Sequence, residues 1–260
     1  MSTNNKSKIN QLLSLLPAGV VFQTKWLVEK GYSLDLQKRY RNSKWLTSIG
    51  IGAMIRANDE VKYEGAIYAL QKQSGMNVHP GGRTALSLLG RTHYLEILEN
   101  IKTVFGHSKE KLPTWFKEYN WGTKIDFHAT EFLPINEGFT EIEVKGFSIK
   151  VSNPARALME CLYLAPKFQE LIECYELIEG LNDLNPSQVQ LLLEKCKSVK
   201  VKRLFLYMAD KAGHEWFTHL KLESIDLGTG KRSIVKNGVY DSKYMITLPK
   251  ELKEYDKANL

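Results

Sequence analysis

The breaks in the first 56 residues constrain the fold most, because they cut that stretch into pieces that suit only short helices and a hairpin. Ile9, Leu12, Leu13 and Leu16 recur at helical spacing, and Pro17, Ala18 and Gly19 end that helix. Thr24 is placed to cap a short second helix holding Trp26, Leu27 and Val28, with Gly31 to terminate it. Ser33 caps a third helix, and Asp35 stands in its first turn, where the helix dipole favours negative charge. Trp45, Leu46 and Ile49 lead into Gly50, Ile51 and Gly52, and Ala53 to Ile55 return, as two strands around a glycine turn do. Three short helices followed by such a hairpin predict a winged helix-turn-helix.

Charge gives that segment a partner. Nine of its 56 residues are Lys or Arg and only Glu29 and Asp35 oppose them, so it carries the whole net charge of +7. An excess of this kind on a small helical head is the electrostatic footprint of nucleic-acid binding. On the third helix, Leu36, Tyr40 and Ser43 fall on one stripe and Lys38 and Arg41 project from the other side, flanked by Gln37 and Asn42. Phosphate contacts are expected from Lys25, Lys38, Arg41, Lys44 and Arg56, and base reading from Gln37, Asn42 and Arg41. The competing account is a solvated basic face on an ordinary helical domain.

At 260 residues, 43% apolar and 25% charged, the chain has enough apolar surface for one large core or two modest ones. From Arg91 its texture changes. His93 to Ile97, Ile125 to Phe132, Glu141 to Val144 and Phe147 to Val151 read as strands, the last two joined by a turn at Lys145 and Gly146. Four helices fit between Pro154 and Gly213, broken near Pro166, at Gly180 to Pro186 and around Ser198. Strands return at Leu227 to Val235 and Tyr244 to Leu248, around Gly228-Thr229-Gly230 and Asn237-Gly238. The expected fold class is α+β, with a winged helix-turn-helix over residues 1–90 and a mixed α/β domain over 91–260. Met1 to Lys8 is polar and no stretch approaches the roughly 20 apolar residues that span a bilayer, so a cytoplasmic protein without membrane contact is expected. Cys161, Cys174 and Cys196 are isolated among Leu, Ile and Tyr and read as buried thiols rather than a disulfide or a metal site.

Catalytic patterns are sparse. Asp126 followed by Glu143-Val144-Lys145 is similar to the Asp and Glu-x-Lys set that holds Mg²⁺ in many nucleases, although Glu141, Glu143 and Lys145 also fit the wet face of a hairpin. His214 and His219, five residues apart on a helix, would point to nearly opposite sides, which disfavours zinc. Gly228-Thr229-Gly230-Lys231-Arg232 lacks the Walker spacing and a following helix, so it reads as a strand turn. Gly81 and Gly82 before Arg83 read as a helix entry. Lys200, Lys202 and Arg203 begin an amphipathic helix and, with Lys231 and Arg232, make a candidate second basic patch, open to nucleic acid, an acidic partner or only water. No cofactor, metal or catalysis is expected.

Four stretches carry a resemblance to a known family: HPGGRTALSLLG over 79–90, NPARALMECLYLAP over 153–166, VKVKRLFLYMADKAGHEWF over 199–217 and IDLGTGKRSIVKNGVYDSKYMITLP over 225–249. In order and spacing they resemble the AbiEi antitoxins of type IV, abortive-infection toxin–antitoxin systems for phage defence. The first is similar to the helix that closes that family's N-terminal winged domain, the second to its first C-terminal-domain helix. The resemblance implies a repressor of its own operon at inverted repeats in promoter DNA. It further implies a C-terminal domain that counteracts a nucleotidyltransferase toxin encoded alongside, in a functional pairing without a stable complex. A stand-alone winged-helix regulator and a Mg²⁺-dependent nuclease using Asp126, Glu143 and Lys145 are the alternatives.

Overall fold

A computed structural model of the chain describes residues 8–91 and 100–255, so the strand expected at His93 to Ile97 lies outside the described residues. The described chain forms two compact units that are not contiguous in sequence. The first comprises 8–79, 100–129 and 141–150, the second 80–91, 130–140 and 151–255.

The first unit opens with α1 (Lys8–Leu15), which buries Leu12, and β1 (Phe22–Gln23). Two further helices follow, α2 (Thr24–Glu29) and α3 (Leu34–Asn42), and then the hairpin β2 (Leu46–Gly50) and β3 (Ala53–Arg56). The three strands pair antiparallel in the order β1-β3-β2, with Phe22 opposite Met54, which is the topology of a winged helix. Ser33 caps α3 as its hydroxyl accepts from the Leu36 amide at 3.3 Å, and Asp35 stands in the first turn. Thr24 does not cap α2. Gln23 holds the cap position, and Thr24 is the first helical residue, with its amide bonded to the Gly52 carbonyl at 2.9 Å.

A helix with no counterpart in the sequence reading, α4 (Tyr63–Lys72), buries Ala66, Ile67, Ala69 and Leu70. It comes close enough to the loop after α1 that a Cβ on Gly65 would sit 1.8 Å from the Gly19 carbonyl oxygen. Then come β4 (Val78–Pro80) and a helix of the second unit, α5 (Gly82–Leu88). Next in the first unit are β5 (Ile101–Gly106), α6 (Thr114–Glu118) and β6 (Lys124–Ala129). Their sheet runs β4-β5-β6, with β5 and β6 parallel. Trp115 of α6 packs beside the wing, since a Cβ on Gly50 would meet the Trp115 Cβ at 2.9 Å. A separate hairpin, β7 (Phe139–Val144) and β8 (Phe147–Ser152), turns at Lys145 and Gly146, both at positive φ as a two-residue hairpin turn requires.

The second unit is built on α5 with α7 (Pro154–Leu164), α8 (Leu171–Glu179), α9 (Pro186–Lys195) and α10 (Val199–Ala212), and the breaks fall where the sequence places them. Asn153 and Asn185 each cap a helix whose first residue is proline, and Ser198 caps α10. Every residue from 201 to 209 of α10 is buried, so this helix is the axis of the unit's core. The chain closes with β9 (Arg232–Ser233), β10 (Val239–Asp241) and β11 (Ile246–Leu248), ordered β10-β11-β9, and α11 (Lys250–Glu254). The long strand expected over 227–235 shrinks to two residues, because a guanidinium described below holds the carbonyls of 227–230 as a loop.

Candidate nucleic-acid interface

Between α3 and the wing lies a groove of about 420 Å³ lined by Leu34, Asp35, Lys38 and Arg41 on one side and Ser48, Gly50 and Ile51 on the other. The fold brings Lys38 and Arg41 together with the wing turn. Lys25 on α2, Lys44 just beyond α3 and Asn42 are exposed around the same head, and Ile51 stands 92% exposed at the wing tip. Lys25, Lys38 and Lys44 form no ion pair among the described residues, so their charge is free to meet phosphates. Arg41 is half-buried at the groove wall, where its guanidinium Nη1 lies 3.3 Å from the Met54 sulfur, so the end of its side chain rests against β3.

Two expected contacts face the protein instead. Gln37 is fully buried, and its Nε2 donates to the Thr24 carbonyl at 3.2 Å and the Tyr32 carbonyl at 2.7 Å, tying together the turn between α2 and α3. It cannot read a base. Arg56 donates to the carbonyls of Leu13 and Leu16 at the C-terminal end of α1, where a cation also suits the helix dipole, and its guanidinium lies 6.0 Å from the Phe22 ring. That arginine braces α1 and is removed from the phosphate set. The inward stripe of α3 is Gln37 and Tyr40, while Leu36 is only half-buried and Ser43 exposed. Arg39 is exposed on the same turn as Lys38, and Trp45, which the sequence places at the start of the wing, is 48% exposed there; neither belongs to the contacts expected from the sequence.

Residues 5–97 match the model of the N-terminal domain of the AbiEi antitoxin transcriptional regulators, and residues 99–249 match that of the AbiEi antitoxin transcriptional regulators of type IV toxin–antitoxin systems. The chain belongs to the AbiEi antitoxin family. Among solved structures it is similar to the RV2827C protein from Mycobacterium tuberculosis, with 13% identity, 95% of this chain and 91% of that chain covered, and a TM-score of 0.59. That likeness concerns the fold. No curated protein matches. Among the described residues of this AbiEi antitoxin, no helix is long and apolar enough to cross a membrane.

The remaining candidates resolve as architecture of the AbiEi chain. Arg203, fully buried on α10, donates to the carbonyls of Leu227, Gly230 and Met245 at 2.8 to 2.9 Å and of Gly228 at 3.2 Å. Lys202 is buried, with Nζ 2.7 Å from the Asp226 carbonyl. Lys200 donates to the carbonyls of Tyr163 and Ala165, and burial lowers its pKa. With these three turned inward, the second basic patch reduces to exposed Lys231 and Arg232. The Gly228-Thr229-Gly230 turn likewise offers carbonyls to Arg203, not a cradle of amides to a phosphate.

Asp126 lies on β6 and bonds His128 at 2.9 Å, whereas Glu143 and Lys145 are exposed on the separate β7–β8 hairpin, so the nuclease-like set is split between two sheets. Among the described residues no three His, Cys, Asp or Glu side chains are grouped to hold a metal ion. His214 is buried against Trp216 with Nε2 2.7 Å from the Ile178 carbonyl, while His219 is exposed. At the start of α5 the Gly82 amide already meets the Glu160 carboxylate at 2.9 Å, and Arg83 pairs with Glu173 at 3.3 Å. Glu160, buried in the NPARALMECL stretch, also accepts from Arg156 and Ser152. This buried network carried no sequence signal beyond the stretch itself.

Proposed function

We propose that this AbiEi antitoxin represses its own operon by docking α3 in the major groove of inverted repeats in promoter DNA, with the wing on the flanking backbone. Its 91–260 region counteracts a nucleotidyltransferase toxin encoded alongside, in the cytoplasm, without catalysis and without a stable complex. The observation that carries the DNA half is the groove between α3 and the wing, with Lys38 and Arg41 on its wall and, around the same head, Lys25 and Lys44 without an ion pair among the described residues. Lys25, Lys38, Arg41 and Lys44 supply phosphate contacts, and Asn42 and Arg41 reach base edges.

Substituting Lys38→Ala and Arg41→Ala together is expected to abolish operator binding in a gel-shift or anisotropy titration while leaving the circular dichroism spectrum unchanged. Single variants at phosphate contacts should each lower the salt slope by about one. Unchanged affinity in the double variant would remove α3 from the reading site. The toxin half is tested by growth of cells expressing the neighbouring open reading frame alone, with the full chain, and with its C-terminal region. Rescue by that region establishes an antitoxin separable from repression, and a harmless neighbour reduces the protein to a regulator.

A further inference from the structure

A second cavity of the first unit, about 580 Å³, opens between α6 and β6 and has no part in the DNA reading. Its volume is within the range of roughly 300 to 1,000 Å³ usual for small-molecule sites. Phe116, Tyr119, Trp121 and Phe127 line it, four aromatic side chains within twelve residues of sequence. The Trp121 indole is fixed in place, since Nε1 donates to the Phe116 carbonyl at 2.7 Å and the ring lies 4.6 Å from Tyr119 and 5.6 Å from Phe116. Phe127 alternates with Ile125 along β6, so both face the cavity by the two-residue period of a strand.

Lys111, Lys117 and Lys124 also line the cavity, all three are exposed, and none forms an ion pair among the described residues. The single carboxylate of the lining, Glu110, is engaged with the Asn77 amide at 2.8 Å. Three cations against one carboxylate leave the rim positive. A recess walled by rings takes a flat π system, and a positive rim takes negative charge attached to it. A greasy neutral ligand would leave the lysines unused, and a bare anion would leave the aromatic wall unused. We propose that this cavity binds a nucleoside phosphate, with the base among the rings and the phosphate at the lysine rim.

The same chemistry is offered by a free nucleotide and by an unpaired nucleotide in a strand, and calorimetric titration of the full chain at low salt separates them. The probes are adenosine and guanosine monophosphates, the two nucleosides, inorganic phosphate, and a short single-stranded DNA tested in the Lys38→Ala, Arg41→Ala background to silence the winged head. A monophosphate should bind, with nucleoside and phosphate alone each weaker by roughly tenfold or more. Phe127→Ala should weaken binding by a similar factor. Because that change also touches β6, the exposed pair Lys117→Gln, Lys124→Gln gives a second loss that does not depend on packing. Binding of a monophosphate, lost in the lysine pair, assigns the site to a free nucleotide, and binding of the strand alone, lost in the same pair, assigns it to a strand. Binding of neither, or binding that survives both substitutions, overturns the proposal.

Discussion

Gln37 and Asn42 stand five residues apart on α3, and at 3.6 residues per turn that separation rotates one side chain about 140° from the other. They cannot share a groove, and burial decides between them. One buried and one half-buried carbonyl take their donors from Gln37, so Gln37→Ala should cost about 2 to 3 kcal/mol, read as a lower Tm with operator binding that follows the folded fraction. Asn42→Ala should leave stability within about 0.5 kcal/mol and weaken operator binding. The opposite pattern would return Gln37 to the DNA surface. Amphipathic periodicity misplaced this residue because a glutamine scores as polar whichever way it points, and its two carbonyl partners belong to Thr24 and Tyr32. The cysteines were legible, since apolar surroundings alone mark a buried thiol. Burial pushes the Cys174 thiol up to about 12 and raises Cys161 and Cys196 as well. A thiol reagent at pH 8 should therefore label the native chain slowly and all three cysteines at once in denaturant. Rapid labelling of one thiol in the native chain would contradict that burial.

At the scale of elements, the helix breaks and the Ser33 cap were readable, while the cap expected at Thr24 falls to Gln23 and contacts made at a distance were not readable. Asn153-Pro154, Asn185-Pro186 and Ser198 start three helices by local hydrogen bonds that their own residue types announce. Helix α10 shows the limit: Lys200, Lys202 and Arg203 read as a wet basic face, yet the loop at 226–230 supplies the carbonyls that draw two of them inside. Arg203→Lys keeps the charge but loses the planar fork that reaches four carbonyls, and a loss on the order of 3 kcal/mol is expected. Hydrogen exchange should show β9–β11 opening first, and a variant as stable as the parent would show that the clamp contributes nothing. On α4 the close approach of Gly65 to the Gly19 carbonyl leaves no room for a methyl group. Gly65→Ala should lower stability by about 1 to 3 kcal/mol, measured as a shift in the urea midpoint.

Over the whole molecule, the charge asymmetry and the order of motifs point to a basic winged-helix head followed by an α+β region, and the family match extends over both. What the sequence does not carry is the membership of each compact unit. Helix α5 precedes residue 91 but packs on α7, roughly 70 residues later, and gives its Gly82 amide to the buried Glu160 carboxylate. Pairing over that distance leaves no periodicity to read. A fragment beginning at residue 91 therefore exposes the face of α7 that α5 covers and removes one donor from Glu160, while one beginning at residue 80 keeps both. Leaving a buried carboxylate short of a donor costs on the order of 1 to 3 kcal/mol, and the lost helix packing adds to it. The 80–260 fragment should melt well above the 91–260 fragment, and wherever the neighbouring gene proves toxic, rescue should track the longer piece. Equal melting temperatures would show that α5 stabilises nothing in the second unit, and the place to divide the chain would then move to residue 91.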